Sequence, residues 1–392
     1  MPTFRHRIRP EFLHTVIFTR GALRAENPAL AKVFKPEGRQ PARVLAVVDR
    51  PLARARPKLA SEIKKYFAAH SRRVELVAAP LLVPGGEAAK NDWRLVKKLW
   101  AAIERHGLSR QSYVLVVGGG AVLDLAGFAA ATAHRGVRLV RMPTTSLSQG
   151  DGGVGVKNGV NFFGKKNWVG AFAVPAAVVN DLDFLKLLPD ASARGGLVEA
   201  FKVGLIRDAR LASYIAANVG RLARREPAVV EKVIIASARL HLRHIATGGD
   251  PFEMGAARPL DYGHWVAHKL EQMSNFRLAH GDAVAVGMAL DARYAVAHGW
   301  LDARTARRIA EVLEKLGCDT GDGKINPLVR RLLRTRDRRG KLAVLAGLEE
   351  FRQHLGGRLT LTLLRAWGRG EETSDVDLAL MRRVIETIPP AS

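Results

Sequence analysis

Tyr113–Asp124 reads YVLVVGGGAVLD. The run Tyr113–Val117 has no charged position, which suits a strand buried on both faces, as in a parallel sheet. Three glycines, Gly118, Gly119 and Gly120, end it, and Ala121–Ala133 can continue as a helix. A strand that turns through glycines into a helix leaves backbone N–H groups facing the turn, where an anion can approach closely. Taken alone, the stretch fits a plain strand-to-helix turn equally well, and it is not the usual GxGxxG fingerprint.

The same alternation repeats on both sides of this stretch. Val44–Asp49 (VLAVVD) reads as a second buried strand, Pro57–His70 has helical spacing, and Val74–Ala78 reads as a strand. Asp92–Arg105 is an amphipathic helix with Leu95, Leu99 and Ile103 on its apolar side, and Val137–Met142 is a further strand. Strands alternating with helices predict a Rossmann-like α/β domain, a parallel sheet covered by helices, over residues 1–190. Past Pro189 the strand signals nearly vanish. Ala191–Arg207, Pro227–Thr247, Gly263–Asn275, Asp282–His298 and Ala303–Leu316 read as helices, and Ser374–Ile388 as another, with Ser374 and Asp377 spaced like a capping box. Residues 191–392 are therefore expected to form an all-helical domain.

The chain has 392 residues and 47% hydrophobic composition, enough for two cored domains without staples. Its single cysteine, Cys318, can form no internal disulfide, which suits a reducing, cytoplasmic setting. The basic stretch Met1–Arg9 is followed by no apolar run, so no secretory signal is expected. No uncharged apolar stretch reaches the ~18 residues of a membrane span. The net charge of +25 could signal a nucleic-acid partner. But the basic residues are spread along the whole chain, aromatics are 6%, and no helix-turn-helix, zinc-finger or RNA-recognition pattern appears. A solvated basic surface with a site for a small phosphorylated anion accounts for the charge, so neither nucleic acid nor membrane is expected as a partner.

Four further patterns carry chemistry. Pro143-Thr144-Thr145 is followed by the glycine-rich stretch from Asp151 through Lys157 and Asn158 to Asn161, then by Lys166-Asn167. Lysines among glycines, with amides and hydroxyls nearby, suit a phosphate or polyol; the bland alternative is a flexible solvated loop. Glu199 and Lys202 lie on one face of a predicted helix, a spacing that a surface ion pair also explains. His264 and His268 share a helical face, and His280-Gly281-Asp282 follows. Two such histidines, a third before a glycine and a carboxylate can hold one divalent ion. His6, His14 and His298 have no such context and read as structural or surface residues.

In this order, the motifs resemble the 3-dehydroquinate synthase family and the wider sugar phosphate cyclase superfamily, over roughly Val44 to His298. The matching features are Gly118-Gly119-Gly120 ending in Asp124, Arg135-Gly136, Thr144-Thr145, Asp151 to Lys157, Lys166-Asn167, Glu199 to Lys202, His264 to His268, and His280. The resemblance implies that Glu199, His264 and His280 are metal ligands, for zinc or cobalt. It implies that His268, Lys157, Asn167 and Arg135 meet the substrate phosphate, Arg135 from the second subunit of a homodimer. Lys202 would face the reacting hydroxyls. Asp49, Glu87 and Lys90 would lie around the adenosine half of NAD, Gly119, Gly120 and Asp124 around its pyrophosphate, and Thr144, Thr145, Asp151 and Lys166 on the nicotinamide side. The implied reaction is a closed redox cycle on a sugar phosphate: hydride withdrawal, β-elimination of phosphate, hydride return, then ring opening and aldol closure. Its net result is a lyase reaction.

The chain departs from the family pattern in places. Asp261 replaces an Asn three residues before the first metal histidine, and Trp265 replaces the Thr after it. The family's carboxylate-binding arginine falls on Ala257; Arg258 is next door, but one residue turns a helical side chain by roughly 100°. A family lysine falls on Arg243, a Thr on Asn158, and Asp337-Arg338-Arg339 only echoes an Asp-Lys-Lys pattern. The expectation is conserved chemistry on a seven-carbon sugar phosphate without a carboxylate, giving a valiolone-type cyclitol. The carboxylated substrate of the shikimate pathway is the alternative. A metal-dependent alcohol dehydrogenase of the iron or glycerol type is the rival enzyme class, against which Lys157, Lys166 and Asn167 speak. A basic nucleic-acid-binding or assembly protein built on the same fold is the non-enzyme rival, against which Glu199, His264 and His280 speak.

Overall fold

The computed structural model describes residues 2–8, 10–253, 260–321, 324–354 and 357–388. Its strands are β1 (Val16–Thr19), β2 (Ala42–Asp49), β3 (Val74–Leu76), β4 (Leu81–Val83), β5 (Tyr113–Gly118), β6 (Arg138–Pro143), β7 (Lys157–Phe162), β8 (Lys165–Phe172), β9 (Ala177–Asp181), β10 (Leu361–Ala366) and β11 (Arg369–Thr373). The helices are α1 (Arg50–Ala55), α2 (Leu59–Ala69), α3 (Trp93–Arg105), α4 (Gly120–Thr132), α5 (Ser146–Gly150), α6 (Asp190–Arg207), α7 (Ala209–Ala217) and α8 (Val219–Ala223). They continue with α9 (Pro227–Thr247), α10 (His264–Met273), α11 (His280–Ala297), α12 (Ala303–Lys315), α13 (Pro327–Arg334), α14 (Ala346–His354) and α15 (Leu378–Glu386).

The chain divides into two compact units. The first holds residues up to Pro143 together with Val156–Asp181. Its seven-stranded sheet runs β1-β9-β6-β5-β2-β3, with β4 beside β2, and every pairing in it is parallel. β5 is buried at every position, as its unbroken apolar run predicts. Helix α4 is buried along most of its length, because it packs on β5 and β6 beneath the hairpin β7–β8. Trp93–Arg105 forms with Asp92 as its N-cap, the side chain accepting from Arg94 N–H.

The second unit holds Thr144–Gly155 and the chain from Leu182 onward. The chain enters this unit at 143/144, leaves it at 155/156 and returns at 181/182, whereas the sequence reading puts a single cut at residue 190. Helix α5 packs on α6 and α9. The unit is helical apart from the hairpin β10–β11. At α15 the capping box read from Ser374 does not form. Asp377 is itself the cap, accepting from Ala379 and Leu380 N–H, and Ser374 Oγ lies 3.0 Å from Thr360 Oγ1.

Helices α6 and α11 are buried through most of their length, so each needs neighbours on all sides. They touch backbone to backbone: a Cβ on Gly281 would lie 2.3 Å from Gly195 Cα. The N-terminus of α10 meets the middle of α11 in the same way, since a Cβ on Gly287 would lie 2.0 Å from Gly263 O. Gly281→Ala is expected to cost about 1–3 kcal/mol in urea unfolding, because backbone cannot yield as a side chain can. Gly195→Ala, whose Cβ would meet Gly281 at an ordinary 3.8 Å, should stay within about 1 kcal/mol of the parent. Equal midpoints for the two variants would show that the helices are not held at this crossing.

Candidate functional site

The glycine crossings decide where the side chains of the second unit meet. Glu199 follows Gly195 by one turn on α6, and His280 precedes Gly281 at the start of α11. Their close approach sets His280 Nε2 3.4 Å from Glu199 Oε1. His264, the first residue of α10 after Gly263, brings its Nε2 to 3.7 Å from the same oxygen. The ligand atoms of all three lie within 4.8 Å of one another. On the other side of the carboxylate, Lys202 Nζ is 2.6 Å from Glu199 Oε2. Glu199 and Lys202 are almost fully buried, so the surface ion-pair reading of their spacing does not hold.

The outer nitrogens of the imidazoles fix their orientation. His264 Nδ1 lies 3.2 Å from the Tyr262 carbonyl, and His280 Nδ1 lies 3.3 Å from Glu271 Oε2. Each Nδ1–H can donate outward, which turns the Nε2 lone pair toward Glu199. Two lone pairs and a buried carboxylate oxygen that lacks a hydrogen bond then face one point. With both rings neutral, that arrangement is repulsive unless a positive charge sits at its centre, and two nitrogens with one oxygen are a donor set that suits zinc or cobalt. The residues therefore fit a divalent ion.

The electrostatics agree. Burial alone would raise the Glu199 carboxyl, but Lys202, His280 and His264 outweigh it and hold the group well below the ordinary carboxylate range. Burial would lower Lys202, but Glu199 and Asp151 hold its ammonium above the usual value. Burial and Lys202 lower His264. His280 is opposed by burial yet pushed up to about 10 by Glu271 and Glu199. A proton there serves the two carboxylates in the way a metal cation would, and metal binding releases such protons.

His268 stands beside the other two rings, 5.4 Å from His264 and 6.1 Å from His280 between centroids. With Glu271 and His280 it forms a second group close enough to hold an ion. Glu271, which already bonds His280 Nδ1, is the functional residue that the sequence reading passed over. Its signal was present: it falls on the α10 face of His264 and His268. Asp151 lies in the same unit, its Oδ1 3.4 Å from the buried His241 Nδ1. Thr144 is buried, and Thr145 caps α5, its Oγ1 accepting from Ser148 N–H while Ser148 Oγ accepts from Thr145 N–H.

In the first unit, Gly119 is the N-cap of α4 and Gly120 its first residue, at the end of β5. Asp49 ends β2; burial raises its carboxyl, against backbone bonds from Leu52 and Gly119. Lys90 gathers the neighbouring residues, with Nζ 2.8 Å from Asp124 Oδ2, 4.0 Å from Glu87 Oε1 and hydrogen-bonded to Asn167 Oδ1. Asn161 completes the network. Its amide donates to Glu87 and Asn91, and its oxygen accepts from Asn167 N–H.

Lys157 and Lys166 lie on β7 and β8. The stretch expected as a glycine-rich loop thus becomes a hairpin from Lys157 onward. Part of its glycine content serves strand contact: a Cβ on Gly159 would lie 3.1 Å from Val169 O. Arg135 is exposed, with a left-handed φ of 61°, beyond the C-terminus of α4. Helical rise puts it about 20 Å from Gly120, so its own chain does not bring it to the glycine turn.

The departures from the family pattern separate by burial. Trp265 is 1% exposed and its Nε1 donates to Asp291 Oδ1 at 2.9 Å. Asn158 is buried and accepts from the buried Arg141 at 2.7 Å. Asp261 is different, since its charge helps hold the Lys202 ammonium. Arg243 is exposed on α9, and Asp337 caps its own turn by accepting from Arg339 and Lys341 N–H. Ala257 and Arg258 lie outside the described residues.

Residues 80–195 match the family model of the 3-dehydroquinate synthase N-terminal region, and residues 196–337 that of its C-terminal region. A protein of Symbiobacterium thermophilum named 3-dehydroquinate synthase is 38% identical over 305 residues, covering 78% of this chain and 82% of that protein. Among solved structures, the 2-epi-5-epi-valiolone synthase ValA from Streptomyces hygroscopicus subsp. jinggangensis 5008, with NAD+ and Zn2+ bound, has a TM-score of 0.83 at 26% identity, covering 98% of this chain and 99% of that one. A 2-deoxy-scyllo-inosose synthase complexed with carbaglucose-6-phosphate, NAD+ and Co2+ shares the fold, with a TM-score of 0.73 at 20% identity, covering 95% of this chain and 96% of that one. With both halves of the family pattern matched in order and most of a family member's length aligned, this chain belongs to the 3-dehydroquinate synthase family.

Proposed function

We propose that this protein is a carbon–oxygen lyase that eliminates phosphate from a seven-carbon sugar phosphate and closes the product to a carbocycle, using a divalent metal ion and NAD+, the latter regenerated at each turnover. The observation that carries the reading is the convergence of Glu199, His264 and His280 on one point beside the buried Lys202 ammonium. The NAD+ and Zn2+ bound by ValA support the choice of cofactors. When bound, the metal ion supplies a Lewis acid and NAD+ a reversible hydride acceptor.

The chain's own groups have separable tasks. Glu199, His264 and His280 would hold the ion, with Glu271 and the Tyr262 carbonyl keeping the rings aimed. Lys202 keeps its proton at Nζ and can donate to substrate hydroxyls, stabilising charge that develops on oxygen. His268, Lys157, Asn167 and Arg135 are assigned to the phosphate, Arg135 reaching it from the second subunit of a homodimer. Asp49, Glu87, Lys90, Gly119, Gly120 and Asp124 are assigned to NAD+, the two glycines offering helix N-terminal N–H groups to its pyrophosphate. Thr144, Thr145, Asp151 and Lys166 complete the coenzyme set. Both units would thus serve the coenzyme and the phosphate, and the helical unit alone would hold the metal. No helix among the described residues is long and apolar enough to cross a membrane, and a cytoplasmic setting is part of the same reading.

For the substrate, Asp261 favours a sugar phosphate without a carboxylate. Its negative charge near Lys202 would oppose a second carboxylate in that region. The curated relatives named 3-dehydroquinate synthase support the carboxylated substrate as the second reading.

Three measurements test these statements. Phosphate release by metal-loaded protein with NAD+ should be faster, by at least about 100-fold in kcat/KM, with the uncarboxylated seven-carbon sugar phosphate than with the carboxylated one. Turnover of the carboxylated compound alone would return the protein to the shikimate reaction. Absorbance at the NADH wavelength should stay flat during steady turnover, whereas a continuous rise would mark a dehydrogenase. His264→Ala and His280→Ala should each abolish stoichiometric metal uptake and slow phosphate release by at least about 100-fold; full metal content in either variant would remove that histidine from the ligand set.

A further inference from the structure

Asp291 is a buried carboxylate that none of the chemistry above uses. It is 1% exposed on α11, within the apolar core of the helical unit. Its Oδ2 accepts from Gly263 N–H at 2.9 Å, and its Oδ1 accepts from Trp265 Nε1–H at 2.9 Å. These donors flank His264 in sequence. A third tie lies alongside, from Tyr262 OH to the Met288 carbonyl at 2.7 Å. Tyr262 in turn supplies the carbonyl that meets His264 Nδ1. His280, Gly287 and Asp291 recur at helical spacing on one side of α11. One edge of this helix therefore carries a histidine of the site, the glycine that admits the α10 terminus, and the carboxylate that holds it.

We propose that Asp291 is a positioning residue of the metal centre, clamping Gly263 and Trp265 so that His264 is presented to the ion opposite His280. The inference rests on the reading of Glu199, His264 and His280 as metal ligands. Trp265 is the second half of the device. Its indole N–H is the donor that a Thr at that position could not place at the same reach, so the exchange is matched by an acceptor in the core rather than by a ligand. Gly263 has a left-handed φ of 78°, and a Cβ there would lie 2.7 Å from Met288 N. The terminus of α10 is thus held by backbone contact on one side and by the Asp291 carboxylate on the other.

The test uses the full chain loaded with Zn2+ or Co2+. Asp291→Asn keeps the shape but turns an amide donor toward one of two N–H donors. Trp265→Phe keeps the ring and removes one donor. Zn2+ affinity, by competition with a chromophoric chelator, should fall about 10- to 100-fold in Asp291→Asn and by a smaller factor in Trp265→Phe. The visible absorption of the Co2+ forms should change in both, while NAD+ affinity stays within about 2-fold of the parent, an unchanged control that a general loss of folding would not leave. If Asp291→Asn does not fold, Trp265→Phe alone decides. Parental metal affinity and Co2+ spectrum with only a lowered melting temperature would overturn the positioning role. A parent protein that takes up no metal would overturn the ligand assignment itself, and this inference with it.

Discussion

Helices can approach to backbone contact only where side chains are missing, and this molecule uses that rule twice around one point. Gly195 against Gly281 sets the spacing of α6 and α11, and Gly263 against Gly287 sets the spacing of α10 and α11. With any larger residue at Gly281 or Gly287 the axes would separate, and the three side chains near the crossings would separate with them. Glu199, His264 and His280 are therefore gathered by what their neighbours lack. That is a stronger constraint than their own rotamers could supply, because packed backbone has no alternative position to relax into.

The gathering comes with an electrostatic demand. Burying a carboxylate and an ammonium in a helix as apolar as α6 opposes folding unless their charges are matched. Lys202 matches one oxygen of Glu199, and Asp151 and Asp261 add negative charge that helps hold the ammonium. The second oxygen of Glu199 faces His264 Nε2 and His280 Nε2, whose rings are held from their far sides by the Tyr262 carbonyl and Glu271. A divalent cation at that point satisfies all of these groups at once. Packing and charge therefore select the same place, and the Lys202 ammonium is held charged next to it.

In the sheet half, β2 and β5 were legible because each is built on an apolar run, Val44–Val48 and Tyr113–Val117, that ends in aspartate or glycine. Tyr113–Gly118 and Ala42–Asp49 form within two residues of the expected limits. β1, β4, β9 and the hairpin β7–β8 were not legible. They are short, or they alternate apolar residues with the glycines that a loop would also contain. The hairpin β10–β11 escaped for the opposite reason, being far from any motif. In the site, His264 and His280 were visible through spacing, whereas Glu271 needed its helical face to be read one turn further. Asp291 could not be read, because a lone aspartate in an apolar helix shows its partners, Gly263 N–H and the Trp265 indole, only in three dimensions.

The departures from the family pattern also change meaning once their surroundings are seen. As residue types, Trp265 and Asn158 suggested altered substrate contacts. Both instead point inward, toward Asp291 and Arg141, with their polar atoms satisfied there. They are repairs of packing and hydrogen bonding, and they carry no information on what the protein binds. Asp261 alone, among the described departures, is placed where its charge acts on a residue of the site. An Asn at that position would contribute no charge, whereas an Asp adds to the negative charge that Glu199 and Asp151 already set around Lys202. If the substrate is a different sugar phosphate, as proposed, its selection would work through the charge around the Lys202 ammonium, to which Asp261 adds after Glu199 and Asp151.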